Sequence, residues 1–164
     1  MTRIFSFFIL LLFIFTACTS FNSEKQVISG KFSWTEWRRQ AGWESYNADN
    51  YEPGVFLTEQ LNSLINNKNK RISFILFSAS WCGDSESEVP KIFKMFDIAN
   101  IPLSKIELYG VDRAKRELSG TAEKFNILRV PTLIVLKNGN EIGRIVEHPL
   151  SSWEEDIFKI LIQS

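Results

Sequence analysis

The chain has 164 residues, 45% of them apolar, and its 19 Lys plus Arg balance 19 Asp plus Glu. That length and composition predict one domain of ordinary size with a real core, and argue against two. Zero formal charge with no basic stripe leaves nothing to track a phosphate backbone, so no nucleic-acid partner is expected.

After Arg3 an almost unbroken apolar run extends from Ile4 to Ala17. It falls short of the about 20 residues of a membrane-spanning helix, and its basic start and small last residue have the layout of a secretory signal peptide over residues 1–17. An uncleaved buried or spanning helix is the other reading of the run. Phe15-Thr16-Ala17-Cys18 resembles the lipobox of bacterial lipoproteins. The resemblance implies lipid attachment at Cys18 and an exported, membrane-anchored protein of the cell envelope, facing the periplasm or the outside. Ordinary cleavage would instead leave Cys18 a plain thiol. Removal of residues 1–17 leaves 18 basic and 19 acidic side chains, so charge still suggests no partner. With Cys18 lipidated, Cys82 has no mate for an internal disulfide and is either a buried bystander or a working thiol.

Residues 18–30 are polar, small and aperiodic, and are expected to form a lipid-anchored flexible linker. Residues 31–54 form an aromatic-rich stretch. Within it, Ser33 and Glu36 have capping-box spacing, which predicts a helix near 34–41 stopped by Gly42. Trp34 and Trp37 share a face of that helix, with Trp43 and Tyr46 beyond; packing into the core is favoured over lining a groove. Leu57, Leu61, Leu64 and Ile65, with Phe56 beside them, recur at helical spacing. Ile72–Phe77 is a nearly continuous apolar run rich in β-formers, as in a central strand covered on both faces. It delivers Cys82 to the strand's carboxyl end. From Asp84 onward Val89, Ile92, Phe93, Met95 and Phe96 trace a helical face, with Pro90 inside as an expected kink.

Ile106–Val111 reads as a strand, followed by a segment to Phe125 with room for a helix. Leu133–Leu136 and Glu141–Val146 flank Asn138-Gly139, a strong hairpin signal. Ser151 and Glu154 repeat the capping-box spacing ahead of a stripe of Trp153, Ile157, Ile160 and Leu161. The order is β-α-β-α-β-β-α with a helix in front. His148, the single histidine, has no second ligand at metal spacing, and Asp84, Glu86 and Glu88 lack the EF-hand pattern. No metal and no cofactor are expected. Asp112, Arg113, Lys115, Arg116 and Glu117 read as a solvated mixed-charge surface.

In this order the chain resembles the thioredoxin superfamily. Phe77-Ser78-Ala79-Ser80-Trp81-Cys82-Gly83 is similar to its strand and Trp-Cys-Gly turn, Val130-Pro131-Thr132 to its proline loop, and Leu136–Gly139 with Ile142-Gly143 to its closing hairpin. The resemblance covers about residues 55–164 and implies an α/β thioredoxin-like fold, a central mixed sheet flanked by helices, with 31–54 as a short helical N-terminal extension. By position it puts Cys82 on the attacking thiol and Trp81 on its flanking aromatic. Gly83 follows in the reactive turn, and Val130 and Pro131 form the substrate-binding loop with a cis bond between them. The chain departs from the pattern at Ser85, which stands in place of the resolving cysteine, at Asp84, which replaces a proline, and at Leu76, which replaces a buried acid.

A thiolate is the reactive form of cysteine, and the unsatisfied N–H groups of a helix start favour it, whereas the carboxylates of Asp84, Glu86 and Glu88 oppose it. The direct donors are expected to prevail, with Ser85 donating its hydroxyl proton to the sulfur. One thiol forms mixed disulfides that a second, external thiol must resolve. The function expected is monothiol thiol–disulfide exchange, isomerase- or reductase-like, in a monomer whose partners are protein or small-molecule thiols and disulfides. The competing reading is a non-catalytic binding or scaffold lipoprotein that docks peptides at the Trp81/Pro131 face. Peroxide reduction would need an activating residue that the sequence does not offer.

Overall fold

Residues 25–43 and 48–163 are described in the computed structural model of the chain. The signal-peptide run, Cys18, the first part of the linker and Tyr46 lie outside the described residues. Helix α1 (Trp34–Gln40) starts as its spacing predicts: the Glu36 N–H donates to Ser33 Oγ at 3.2 Å, and the Glu36 carboxylate accepts from the Ser33 N–H at 2.9 Å. Gly42, at φ +72°, turns the chain out of it. Trp37 and Trp43 are fully buried and meet edge to face at 5.5 Å, while Trp34 stacks on Phe93 at 4.2 Å. The tryptophans of the extension therefore belong to the core.

Ahead of α1 the chain departs from the linker expectation. Gly30–Phe32 forms a short strand, β1. Ile28 is buried, its N–H donates to Ser80 Oγ at 3.3 Å, and Ser80 Oγ donates in turn to the Gln26 carbonyl at 2.5 Å. Residues 25–30 are thus fastened to the domain. The physical reason is a sheet edge with free backbone groups, beside which one isoleucine side chain finds burial.

The other strands are β2 (Ile72–Ser78), β3 (Ile106–Gly110), β4 (Thr132–Lys137) and β5 (Asn140–Val146). Among the described residues they form one sheet with β1 in the order β1-β3-β2-β4-β5. The pair β2–β3 is parallel; β1–β3, β2–β4 and β4–β5 are antiparallel. With helices α2 (Val55–Ile65), α3 (Gly83–Ile98), α4 (Thr121–Lys124) and α5 (Trp153–Ile162) this is the thioredoxin-like α/β arrangement, a mixed sheet flanked by helices. The segment before Phe125 contains only the single turn of α4, the rest of it being loop.

Central β2 sends alternate side chains to opposite faces. Phe74 and Leu76 enter a large core with Trp37, Leu61, Val89, Ile92 and Ile157; Ile75 and Phe77 enter a smaller one with Tyr109, Ile127 and Ile134. Each such burial contributes about 1.5–3 kcal/mol. Asn138 and Gly139 both take positive φ, +54° and +80°, as a two-residue hairpin turn requires. Helix α3 runs its 16 residues through Pro90 without interruption. The start of α5 differs from expectation by one residue: Ser152, not Ser151, caps it, accepting from the Glu155 N–H at 3.2 Å. Glu154 instead turns inward and accepts from the Tyr51 hydroxyl at 2.5 Å and the Gly54 N–H at 3.0 Å.

Candidate active site

Between the last residue of β2 and the first turn of α3 the backbone folds over itself, the Cys82 N–H donating to the Ala79 carbonyl at 3.1 Å. Cys82 becomes the N-cap of α3 with extended backbone, φ −96° and ψ 124°, and is partly exposed. The N–H groups of the first helical turn gather at this end and favour negative charge there. Gly83 is exposed, and apart from its chain neighbours no atom stands within 4 Å of where its Cβ would be.

The thiol faces the proline loop. Cys82 Sγ donates to the Val130 carbonyl at 3.4 Å, and the Val130-Pro131 peptide is cis. Val130 and Pro131 are buried. The loop is braced on both sides: Thr132 Oγ1 donates to the Arg129 carbonyl at 2.7 Å, and the Pro131 carbonyl accepts from the Glu147 N–H at 2.7 Å.

Trp81 lies on the smaller core beside Cys82 and donates Nε1–H to the Val111 carbonyl at 3.2 Å. Over its ring stand the Arg113 guanidinium, 5.3 Å from the centroid, and the Lys115 ammonium at 5.1 Å. Part of the run read from sequence as solvated surface is therefore an element of the site. The loop carrying both cations is closed on itself, with the Lys115 N–H on the Asp112 carbonyl at 3.0 Å and the Asp112 N–H on the Arg116 carbonyl at 2.9 Å. The Arg116 N–H donates to the Asp112 carboxylate at 2.9 Å, and this holds that carboxyl below the ordinary carboxylate range.

Ser85 takes a different role from the one its spacing suggests. It is fully buried, and its Oγ accepts the Ala79 N–H at 3.2 Å. No hydrogen bond links it to the sulfur among the described residues. It braces the reactive turn from beneath because a buried N–H, six residues earlier, needs an acceptor.

The acids nearby are mostly occupied. Glu86 pairs with Lys25, and Glu88 accepts from the Lys91 ammonium at 2.5 Å and from Trp153 Nε1–H at 3.0 Å. Asp84 is exposed. Leu76 is fully buried in the larger core, so the place of the family's acid is apolar here. His148 is exposed, and among the described residues no three His, Cys, Asp or Glu side chains gather for a metal ion.

The structure brings together Cys82, Trp81, Gly83, Val130 and Pro131, the residues singled out from the sequence. Not singled out were Ser80 and Lys25, which fasten the N-terminal segment beside the turn, and Arg113 and Lys115 on the indole.

The thioredoxin family model matches residues 54–159. Thioredoxin H2 of Arabidopsis thaliana is 32% identical over 94 residues, covering 57% of this chain and 65% of that protein. A thioredoxin of Echinococcus granulosus is 39% identical over 71 residues, covering 43% of this chain and 60% of that protein. The chain therefore spans less than two thirds of the length of each of these two relatives. Among solved structures, a protein of unknown function from Pseudomonas aeruginosa aligns with a TM-score of 0.47 and 20% identity over 82% of this chain and 91% of that one. Mitochondrial thioredoxin 3 of Saccharomyces cerevisiae aligns with a TM-score of 0.40 and 22% identity over 66% of this chain and 90% of that one.

Proposed function

Because the chain belongs to the thioredoxin family, we propose that it exchanges thiols and disulfides through Cys82 alone, as a lipid-tethered protein of the cell envelope. The observation that carries this reading is the Cys82 thiol itself, partly exposed at the start of α3 and turned to the carbonyl of the proline loop at 3.4 Å.

In the forward step the Cys82 thiolate attacks one sulfur of a substrate disulfide. A Cys82–substrate S–S bond forms, the substrate S–S bond breaks, and the departing sulfur leaves with the electron pair and takes a proton. A second thiol, on the substrate or in solution, then attacks the mixed disulfide and returns Cys82 to its free state. Attack by a substrate thiol gives isomerisation; attack by a small thiol, followed by a second such exchange, gives net reduction. With serine at position 85 the domain has no resolving cysteine of its own, so the external thiol is obligatory. The apolar Leu76 accords with this, since a buried acid that assists a resolving thiol has no task here.

Anchoring at Cys18 and export rest on the apolar run and the lipobox-like Phe15–Cys18. Partners on this reading are protein or small-molecule disulfides and their thiols, met outside the cytoplasm by a monomeric protein.

The test uses the full-length chain carrying Cys18→Ser, in which Cys82 is the only thiol. Folded protein at pH 7 is mixed with 2-hydroxyethyl disulfide, and the adduct at Cys82 is followed by mass spectrometry beside protein unfolded in urea. The expected result is faster adduct formation in the folded chain, and complete release of the adduct by a small thiol. A thiol that reacts only after unfolding would overturn the exchange reading and leave peptide docking at the Trp81/Pro131 face.

A further inference from the structure

Four strand ends lie level at one end of the sheet. Ser78 of β2 pairs with Gly110 of β3, Phe77 of β2 with Thr132 of β4, and Thr132 with Val146 of β5. The reactive turn leaves the sheet here, beside the proline loop that leads into β4 and the loop that follows β5. Glu147 joins those two loops: its N–H donates to the Pro131 carbonyl at 2.7 Å, and its carboxylate pairs with the Arg129 guanidinium at 2.8 Å.

Three aliphatic side chains stand in water around this end. Leu128, four residues before Thr132, is 73% exposed, and Leu150, four residues after Val146, is 96% exposed. Leu150 also borders, with Val146 and Ile160, a groove between β5 and α5. Val27 is exposed too, and it lies between Gln26 and Ile28, the two residues that Ser80 fastens beside the reactive turn. Single exposed leucines are ordinary, but several around the end that carries the nucleophile make a surface fit to meet something apolar. The direction of the chain names the partner. Lys25 is paired with Glu86 in the first turn of α3, at this same end, and Cys18 is only seven residues before it. With Cys18 lipidated, the bilayer is the apolar surface within reach of Val27, Leu128 and Leu150.

We propose that this end of the domain docks on the lipid bilayer, with Leu128, Leu150 and Val27 entering the headgroup region around the reactive turn. The inference rests on the tethered reading and gives it a face. Burial of aliphatic surface drives the contact. Docking holds Cys82 at the membrane surface, so the substrate class is disulfides of membrane-bound proteins that lie close to the bilayer.

The experiment compares amide hydrogen exchange, read by mass spectrometry, in the chain lipidated at Cys18 on phosphatidylcholine vesicles and in the Cys18→Ser chain in solution. Amides of residues 126–130 and 147–151 should exchange at least about threefold more slowly on the vesicles. Those of residues 98–103, where Ile98 and Leu103 are exposed at the opposite end of the sheet, should not change. Leu128→Ser/Leu150→Ser should lose the protection yet still float with the vesicles, because both side chains are exposed and the lipid is kept. Equal exchange with and without vesicles, in a chain that floats, would overturn docking and leave the tether intact. Protection kept in the double variant would overturn it as well. Protection that appears in the Cys18→Ser chain as its concentration rises would give the face to a second copy instead of lipid. A measured mass without lipid at Cys18 would sink the tethered reading and the docking built on it.

Discussion

Cys82 and Val130, 48 residues apart in sequence, meet where the thiol donates to the carbonyl at 3.4 Å. The nucleophile is thus parked on a backbone acceptor of the loop expected to hold an extended substrate. On the proposed exchange reading, a substrate strand whose N–H took that carbonyl would displace the thiol from it, so that substrate binding would release the nucleophile.

Ser85 is the first position to test this site by mutation. Ser85→Ala removes the acceptor of the buried Ala79 N–H and should destabilise the fold by about 1–3 kcal/mol, read as a lower urea midpoint. Ser85→Cys is close in size and stands three residues from Cys82, at the start of the same helix. That variant should oxidise to an internal disulfide, and thiol titration of the Cys18→Ser background should fall from two groups to none.

Gly110 sits in β3 where the N-terminal segment crosses. A methyl group there would overlap the Trp37 ring and lie 2.9 Å from the Ile28 carbonyl. Gly110→Ala should therefore lose about 1–3 kcal/mol in urea unfolding, the range for overpacking. Hydrogen exchange should show the amides of residues 28–32 opening well before those of β2.

Tyr51 and Glu154 give a pH signature. Burial pushes the Glu154 carboxyl up, but hydrogen bonds from the Tyr51 hydroxyl and the Gly54 N–H outweigh it and hold it below its ordinary range. Burial and then the Glu154 partner raise the Tyr51 hydroxyl, which stays protonated and donating. A carboxyl depressed in the folded state contributes stability that is fully present above its unfolded value of about 4.3 and is lost as pH falls through the folded value. Tyr51→Phe should be about 1–2 kcal/mol less stable than the parent at pH 7, and the gap should narrow below pH 4 as Glu154 protonates in both. Urea midpoints at pH 7 and pH 3.5 check this; a constant gap would refute it.

Ser80 fastens the N-terminal segment by accepting from Ile28 and donating to Gln26. Loss of about 1 kcal/mol in Ser80→Ala raises the open fraction of that segment about fivefold. Trypsin cleavage after Lys31 should speed up by a similar factor, while cleavage within α3 should not.

What the sequence disclosed follows from the range of the interactions involved. The Asn138-Gly139 turn, the Ser33–Glu36 cap and the burial of β2 on both faces are local rules, satisfied within a few residues, and each could be read off. Strand β1 could not: three residues show no period, and its partner β3 lies far along the chain. The fastening of residues 25–30 depends on one buried isoleucine and on a serine more than 50 residues away. At the site, identity was legible and partnership was not. The family pattern located Cys82, Trp81 and Pro131, but the Ser85 hydroxyl accepts from the Ala79 N–H instead of meeting the sulfur, and nothing in the charge run at 112–117 shows that Arg113 and Lys115 reach an indole more than 30 residues upstream. The α5 cap falls on Ser152 rather than on Ser151, with Glu154 turned inward to Tyr51.

Lys25, the first described residue, is paired with Glu86 in the first turn of α3, which puts that end of the fastened segment near the helix start that carries the thiol. Cys18 lies seven residues before Lys25, a stretch that reaches at most about 25 Å when fully extended. With Cys18 in a bilayer, as proposed, the nucleophile would work within a thin layer over the lipid headgroups. Clients held at the same surface would meet it by lateral diffusion at high local concentration. Freely diffusing ones would have to enter that layer first, and short leashes of this kind favour neighbours over passers-by.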